Sequence, residues 1–217
     1  MRDAFHEQLQ HLNDRLVEMA NLVEVAVREG TAALLEADAR RAERVIAADA
    51  QIDRLQALVE ERTFEQLALQ QPVAADLRSL VAALRMVADL ERMGDLAEHV
   101  AKIARMRYPE CAIPEELKPT IAEMGHVAER MVHKVSKTVE ASDVSRAVDL
   151  VAEDDEMDRL RRSLFHTLLD AEWKHGVEAA VDIALLGRYY ERIADHAVSM
   201  ARRVIYLVTG DVPARTS

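Results

Sequence analysis

An internal repeat constrains the fold of this chain more than any other feature of its sequence. The segment E-R-x-x-D at residues 91–95 returns 100 residues later at 191–195. An acidic segment, D-x-x-x-D at residues 49–53, returns 105 residues later at 154–158. The chain is therefore predicted to contain two copies of one structural unit, and function is best sought in what the copies share.

Helical periodicity fills the intervals between the rare breaker residues. Apolar side chains such as Leu9, Leu12, Leu16 and Met19 recur every three or four residues, the spacing of one face of a helix. The prolines, Gly176 and the polar residues Asp38 and Ser142–Asp143 mark the limits of six helical segments: 3–36, 38–70, 72–108, 121–141, one that starts after Ser142 or Asp143 and reaches 173, and 176–208. Each segment predicts one long helix, with Asp38 as the N-cap of the second and Pro72 opening the third.

These predictions define an all-α fold of six long helices. Two repeated antiparallel three-helix bundles are expected to pack by pseudo-two-fold symmetry. The first bundle is assigned to residues 1–108, a proline-rich linker to 109–119, the second bundle to 120–208 and a frayed tail to 209–217.

Composition and charge exclude several classes of protein. The net charge of −11 leaves no basic excess with which to bind nucleic acid. Cys111 is the only cysteine, so neither an internal disulfide nor a thiolate zinc site is expected. The N-terminus has no apolar signal region, and charges interrupt the longest apolar runs, so we expect a cytoplasmic protein without membrane insertion. No nucleophile elbow, P-loop or dinucleotide fingerprint suggests an enzyme.

The repeated carboxylates should converge in each half of the molecule. In an antiparallel pair of helices that turns at Pro72, residues 49 and 53 stand level with residues 95 and 91. The predicted first quartet is Asp49, Asp53, Glu91 and Asp95, and the second is Asp154, Asp158, Glu191 and Asp195. At 100° per residue these positions lie away from the apolar stripes, so both quartets should be on the outer surface.

Four carboxylates in one place require a counter-charge, and the residues leave two sources open. One is the arginines that directly follow an acid and can pair across helices: Arg54, Arg92, Arg159 and Arg192. The other is a metal cation held by carboxylate oxygens, with His99, one turn beyond Asp95, as a further ligand. Oxygen ligands favour magnesium, calcium or manganese, whereas a histidine favours iron or zinc.

A single E-x-x-H motif and a glycine inside a predicted helix also call for an explanation. Glu123 and His126 form a single E-x-x-H motif, but a di-iron site requires two such motifs on inward faces, so this one is attributed to chance. Gly94 lies inside a predicted helix, where glycine is unfavourable by about 1 kcal/mol. A close approach of a second helix, or room beside the carboxylates, explains its presence there.

At these residues the chain resembles the PhoU family, regulators of bacterial phosphate-specific transport, over nearly its whole length. The resemblance implies an all-α fold of two three-helix bundles and surface metal clusters on E/D-x-x-x-D pairs, which fall here on the two quartets. The family usually has asparagine four residues after the motif aspartate, where this chain has His99 and Ser199. The first replacement adds a ligand, and the second predicts weaker metal binding in the second half.

The resemblance also implies a function without catalysis. Such a protein represses the phosphate-starvation response by linking the ATPase of the phosphate ABC transporter to a phosphate-sensing histidine kinase. We therefore expect a homodimer at the inner face of the membrane, held there by these partners, with divalent, iron or zinc ions on surface carboxylates and no organic cofactor. The alternatives are a metal-dependent oxidase of the ferritin-like type and a metal-free structural bundle. Inward-facing ligands would favour the oxidase.

Overall fold

The computed structural model describes residues 2–211 and contains seven α-helices in that range, with one short 3-10 helix and no strand. The helices are α1 (Arg2–Glu36), α2 (Ala39–Gln70), α3 (Ala74–Arg107), α4 (Lys118–Ala141), α5 (Val144–Ala152), α6 (Asp154–Leu168) and α7 (Gly176–Thr209). The 3-10 helix, Glu115–Leu117, directly precedes α4. Within these residues no helix has the length and hydrophobicity that a membrane span requires.

The all-α prediction is confirmed, and the six predicted helices are present with one of them interrupted. The fifth helix is divided into α5 and α6 at Glu153, whose backbone stays right-handed (φ −80°, ψ −10°). It ends at Leu168, five residues before the predicted Trp173.

Pro72 does not open α3 as predicted. Gln71 ends α2 in a left-handed conformation, so Pro72 and Val73 are used by the turn.

The repeat is visible in how the second helix of each half begins. The Asp38 carboxylate accepts a hydrogen bond from the Arg41 N–H at 3.0 Å, which confirms the predicted N-cap. The Asp143 carboxylate accepts from the N–H groups of Ser145 and Arg146 at the equivalent place. Both side chains satisfy backbone donors that a helix start leaves unpaired.

Equivalent helices of the two halves pack against each other. The first helix of one half, α1, contacts the first of the other, α4, and the third helices α3 and α7 are also in contact. Ser136 donates a hydrogen bond to Asn21 across α1 and α4, and His196 contacts Asp89 across α3 and α7. This arrangement is what a pseudo-two-fold axis between the halves produces.

One continuous apolar core fills the space between the helices. Its fully buried side chains come from both halves and include Met19, Leu90, Met131 and Tyr190. The segment before α4 joins this core through buried Ile113 and Leu117. The predicted frayed tail, 209–217, starts at the last residue of α7, and residues 212–217 lie outside the described part of the chain.

Candidate metal centre

The first acidic quartet converges where α2 packs against α3. Asp49 and Asp53 lie one turn apart on α2, and Glu91 and Asp95 lie one turn apart on α3. Asp53 is exposed and the other three are half-buried, so the group is at the surface, as predicted from the helix faces. We call these four residues, together with Glu98, the first acidic patch.

Three side chains of this patch are close enough to share one cation. Carboxylate oxygens of Asp49, Asp95 and Glu98 all lie within 4.8 Å of one another. Ligands at 2.0–2.6 Å from a magnesium or calcium ion are separated by roughly such distances, so the arrangement fits a hard cation. Among residues 2–211, this is the one group of three or more metal-ligating side chains that meets this spacing.

Burial and mutual repulsion perturb the titration of the patch. The pKa of Asp49 is raised to about 6, first by burial and then by the negative charges of Glu98, Asp53 and Asp95. The pKa of Glu91 is also raised, by burial and by the charge of Asp95. A cation among these groups would replace the repulsion with attraction, and protons would compete with it below the raised pKa of Asp49.

Glu98 is the member of the patch that the sequence reasoning missed. Only the residue four positions after Asp95, His99, was predicted as a further ligand. Glu98 lies three positions after Asp95, on the side of the helix that is nearer to Asp49. The Glu98 carboxylate pairs with Lys102 on the next turn. The run Glu91, Asp95, Glu98, with alternating spacings of four and three, is the sequence signal that identifies it.

His99 does not join the group that converges. Its Nδ1 lies 2.6 Å from the backbone carbonyl oxygen of Asp95, to which it donates a hydrogen bond. Its ring packs edge-on against Tyr189 of α7, with ring centroids 5.4 Å apart. The converging ligands are therefore all carboxylate oxygens, which favour magnesium, calcium or manganese over iron or zinc.

Gly94 leaves room for the close approach of α2 to this part of α3. A Cβ at this position would lie 2.9 Å from Cδ1 of Ile52 and 3.2 Å from Oδ1 of Asp49. Both explanations that the sequence offered, close packing and space beside the carboxylates, therefore apply. The equivalent Ala194 is fully buried in the second half.

The second quartet also converges, as the second acidic patch: Asp154, Asp158, Glu191 and Asp195. Burial raises the pKa of Asp154, and the charges of Asp195 and Asp158 raise it further. The pKa of Asp195 is raised by burial and by Glu191. The carboxylates of α6 and α7 are thus near enough to repel one another, but no three of these described side chains meet the 4.8 Å spacing of the first patch.

The motif arginines do not pair across helices as one alternative required. Arg92 pairs within α3, with Asp95 at 2.9 Å and Glu91 at 3.5 Å. Arg54, Arg159 and Arg192 form no ion pair with another described residue. Arg92 and Arg192 instead line a shared cleft between α3 and α7, together with His99 and Tyr189.

Comparison with known proteins shows which family has this repeat. The model of the PhoU domain matches the chain twice, at residues 16–104 and 121–204. The chain belongs to the PhoU family. It is 53% identical to the "Phosphate-specific transport system accessory protein PhoU homolog 2" of Mycobacterium tuberculosis, over 98% of this chain and all of that protein. It is 51% identical to homolog 1 of Mycobacterium leprae, over 98% of this chain and 96% of that protein.

A solved structure supports the same assignment. The crystal structure of PhoU from Pseudomonas aeruginosa superposes with a TM-score of 0.87 at 29% identity, and covers 95% of this chain and all of that chain. The two bundles seen here are therefore the PhoU fold. In this PhoU protein Glu123 and His126 are both exposed on α4, outside the core, where an interior di-iron site of the ferritin-like type would need them inward.

The two acidic patches of this PhoU protein differ in their counter-charges. Glu191 in the second patch pairs with Arg161 of α6, at 3.2 Å, and with Arg188 of its own helix. The repeat places Gln56 and Ala88 at the equivalent positions of the first half. Buried Val198 in turn replaces Glu98. The second patch thus has one carboxylate fewer, and two cations pair with each patch: Arg92 and Lys102 in the first, Arg161 and Arg188 in the second. The second patch is therefore the less negative of the two.

The weaker metal binding predicted for the second patch rests better on these arginines than on Ser199. Ser199 accepts a hydrogen bond from Arg203 at 3.3 Å and lies with it where α7 packs on α3. Arg161 and Arg188 hold a carboxylate of the patch directly. Arg188 precedes Glu191 by three residues on α7, a spacing that the sequence shows. The pairing of Arg161 with Glu191 has no such signal, because it depends on how α6 packs on α7.

Proposed function

We propose that this protein is a regulator of phosphate-specific transport that represses the phosphate-starvation response when phosphate is plentiful. The observation that carries the proposal is the full-length match to relatives named as accessory proteins of that transport system. The regulator would link the transporter ATPase to a phosphate-sensing histidine kinase. Its long helices offer surfaces for docking.

A deletion strain tests this function. In phosphate-rich medium the strain should express phosphate-starvation genes several-fold above the parent, measured by transcript sequencing, and the wild-type gene supplied in trans should restore repression. Mycobacterium tuberculosis has proteins named homolog 1 and homolog 2, so every related gene of the source organism should be deleted singly and together. Unchanged transcripts in the combined deletion would overturn the proposal.

The first acidic patch is proposed to bind a divalent cation, with Asp49, Asp95 and Glu98 as ligands and Asp53 and Glu91 beside them. Carboxylates at the surface suit a site that changes the charge of a docking face. A bound cation there would relieve the repulsion that raises the pKa of Asp49. The second acidic patch should bind the same cation more weakly, since Arg161 and Arg188 already offset its charge.

Calorimetric titration of the chelator-treated protein with magnesium, calcium and manganese chlorides tests the site. Asp95→Asn and Glu98→Val should each weaken the tightest binding at least about tenfold, because ligand charge sets the affinity of such sites. Asp195→Asn is the matched control in the second half and should leave the tightest binding intact. Equal affinity in all four proteins, with unchanged helix content, would mean that the carboxylates are a solvated face.

A further inference from the structure

A groove of about 310 Å³ lies between the first turns of α3 and the last turns of α7. Its apolar part is formed by Leu77, Val81 and Tyr206, and its polar part by Arg78, Arg85 and Arg203. None of the residues that line the groove belongs to either acidic patch. A role of the groove therefore does not depend on metal binding at those patches.

The apolar side of the groove is a helix face that nothing in the described protein covers. Leu77 and Val81 lie one turn apart on α3, and 40% and 37% of their surfaces remain exposed; Val73, 73% exposed, lies in the extended turn just before the helix. Residues at this spacing form one stripe along a helix. A stripe of large apolar side chains that is rimmed by charge is the usual mark of an interaction site.

The arginines of the groove carry positive charge that the described residues leave largely unpaired. Arg203 is neutralised by Asp89, 3.0 Å away. Arg85 forms no ion pair with any described residue. Arg78 lies over the ring of Tyr206, at 5.8 Å from its centroid, and its Nε is buried without a hydrogen-bond acceptor in the described structure.

The repeat shows that packing does not require these charges. Leu77 and Val81 correspond to Val177 and Val181 of α7, which are also exposed, at 80% and 50%. The apolar stripe is thus repeated, but Arg78 corresponds to Glu178, which pairs with Arg107. Arg85 and Arg203 correspond to Leu185 and Ile103. The unpaired positive charge of Arg78 and Arg85 therefore has no equivalent in the other half, where the arginine that is present, Arg107, pairs with Glu178 and Asp182.

We propose that this groove binds an acidic amphipathic helix of a partner protein. Apolar side chains on one face of that helix would pack on Leu77, Val81 and Tyr206, as helices do in apolar grooves. Its flanking carboxylates would pair with Arg85 and Arg78. The concave site between two helices suits a rod-like ligand. An anionic bilayer is a poorer fit, because it would face a protein of net charge −11 as a whole.

The test uses fluorescence anisotropy with two synthetic helix-stapled peptides of about 18 residues. Both carry leucines at helical spacing, and they differ only in having glutamate or lysine on the flanks. The wild-type protein should bind the glutamate peptide in preference, with affinity falling as salt is added. Arg78→Glu/Arg85→Glu should weaken that binding by about tenfold or more and bind the lysine peptide better than the wild type does. Arg203 is left in place because it neutralises Asp89.

Arg105→Glu is the matched control, since Arg105 is an exposed arginine near the other end of α3. It should bind both peptides as the wild type does. Three outcomes overturn the proposal: no binding of the glutamate peptide, equal binding by the wild type and Arg78→Glu/Arg85→Glu, or equal loss in Arg105→Glu. Two further outcomes would overturn the proposal and assign the groove to a different ligand. Binding to vesicles of equal parts phosphatidylcholine and phosphatidylglycerol that the double variant loses would assign the groove to a membrane. Self-association that the double variant loses would assign it to a second copy of the chain.

Discussion

Ionisation of Asp49 opposes folding of the protein when no cation is bound. Its pKa rises from 3.8 to about 6 on folding, so the folded state holds the proton more tightly than the unfolded state does. The resulting stability is fully present below pH 3.8 and is lost as the pH rises through about 6. At neutral pH the ionised Asp49 carboxylate is repelled by the negative charges of Glu98, Asp53 and Asp95, and no bound metal cation offsets this repulsion.

Asp49→Asn should therefore stabilise the protein in chelator at pH 7.5, by on the order of 1 kcal/mol once solvent screening is allowed for. The gain should shrink at pH 4.5, where the wild-type carboxyl is largely protonated. Urea unfolding at both pH values measures it. Asp53→Asn, an exposed change one turn away, is the control and should give a smaller gain. An Asp49→Asn gain that is the same at both pH values would contradict this explanation.

The elements α3 and α7 are joined by a buried carboxylate. Only 8% of the Asp89 surface is exposed, and the carboxylate accepts hydrogen bonds from Arg203 Nε and His196 Nδ1, both at 3.0 Å. Neither bond is repeated in the other half, where Tyr189 takes the place of Asp89. The contact is therefore a specific connection between the halves.

Arg203→Met should destabilise the protein by about 1–3 kcal/mol, because it leaves the Asp89 carboxylate with one partner in a site that water barely reaches. Thermal unfolding followed by circular dichroism measures the loss. Combining the change with Asp89→Asn should recover part of it, since the uncompensated charge is then gone. If the two changes were simply additive, the contact would not be the cause.

The periodicity of the sequence predicts the helices well, but it does not predict where a helix is interrupted. The E-R-x-x-D repeat, the Asp38 cap and the break at Gly176 are all encoded within a few residues. The interruption at Glu153 has no local breaker. Its carboxylate pairs with Lys134 and lies 3.7 Å from Arg130, both on α4, so the feature depends on packing between distant segments.

The candidate site shows the same limit. Midpoints about Pro72 were enough to bring Asp49 and Asp95 together, because two antiparallel helices fix the level of every residue. Which neighbour of Asp95 turns towards Asp49 depends on helix rotation, and the structure selects Glu98 over His99. The counter-charge from Arg161 depends on contact between α6 and α7, which no single segment encodes.

The whole molecule is two repeats that share one core. Buried side chains from α1, α3, α4 and α7 form a continuous cluster, and contacts between the halves run along two pairs of helices. Neither repeat can expose these faces without losing apolar burial, so the halves should unfold together.

Urea unfolding should accordingly give one transition with the same midpoint by two probes. Far-ultraviolet circular dichroism reports on all helices, whereas fluorescence reports on Trp173, the only tryptophan, between α6 and α7 in the second half. Two separated midpoints would show that the repeats are independent folding units. Glu61→Gln, a change at an exposed position of α2, serves as a control that should leave the two midpoints equal.

The charges at equivalent places of the two repeats differ, so the two ends of the molecule are not equivalent. A protein with true two-fold symmetry looks the same after half a turn, so a single partner can bind it in two equivalent poses and two partners can occupy it at once. Arg78 at one end and Glu178 at the other remove that equivalence. The two ends of the duplicated fold are therefore chemically different, and a partner that recognises the arginines would bind in one orientation.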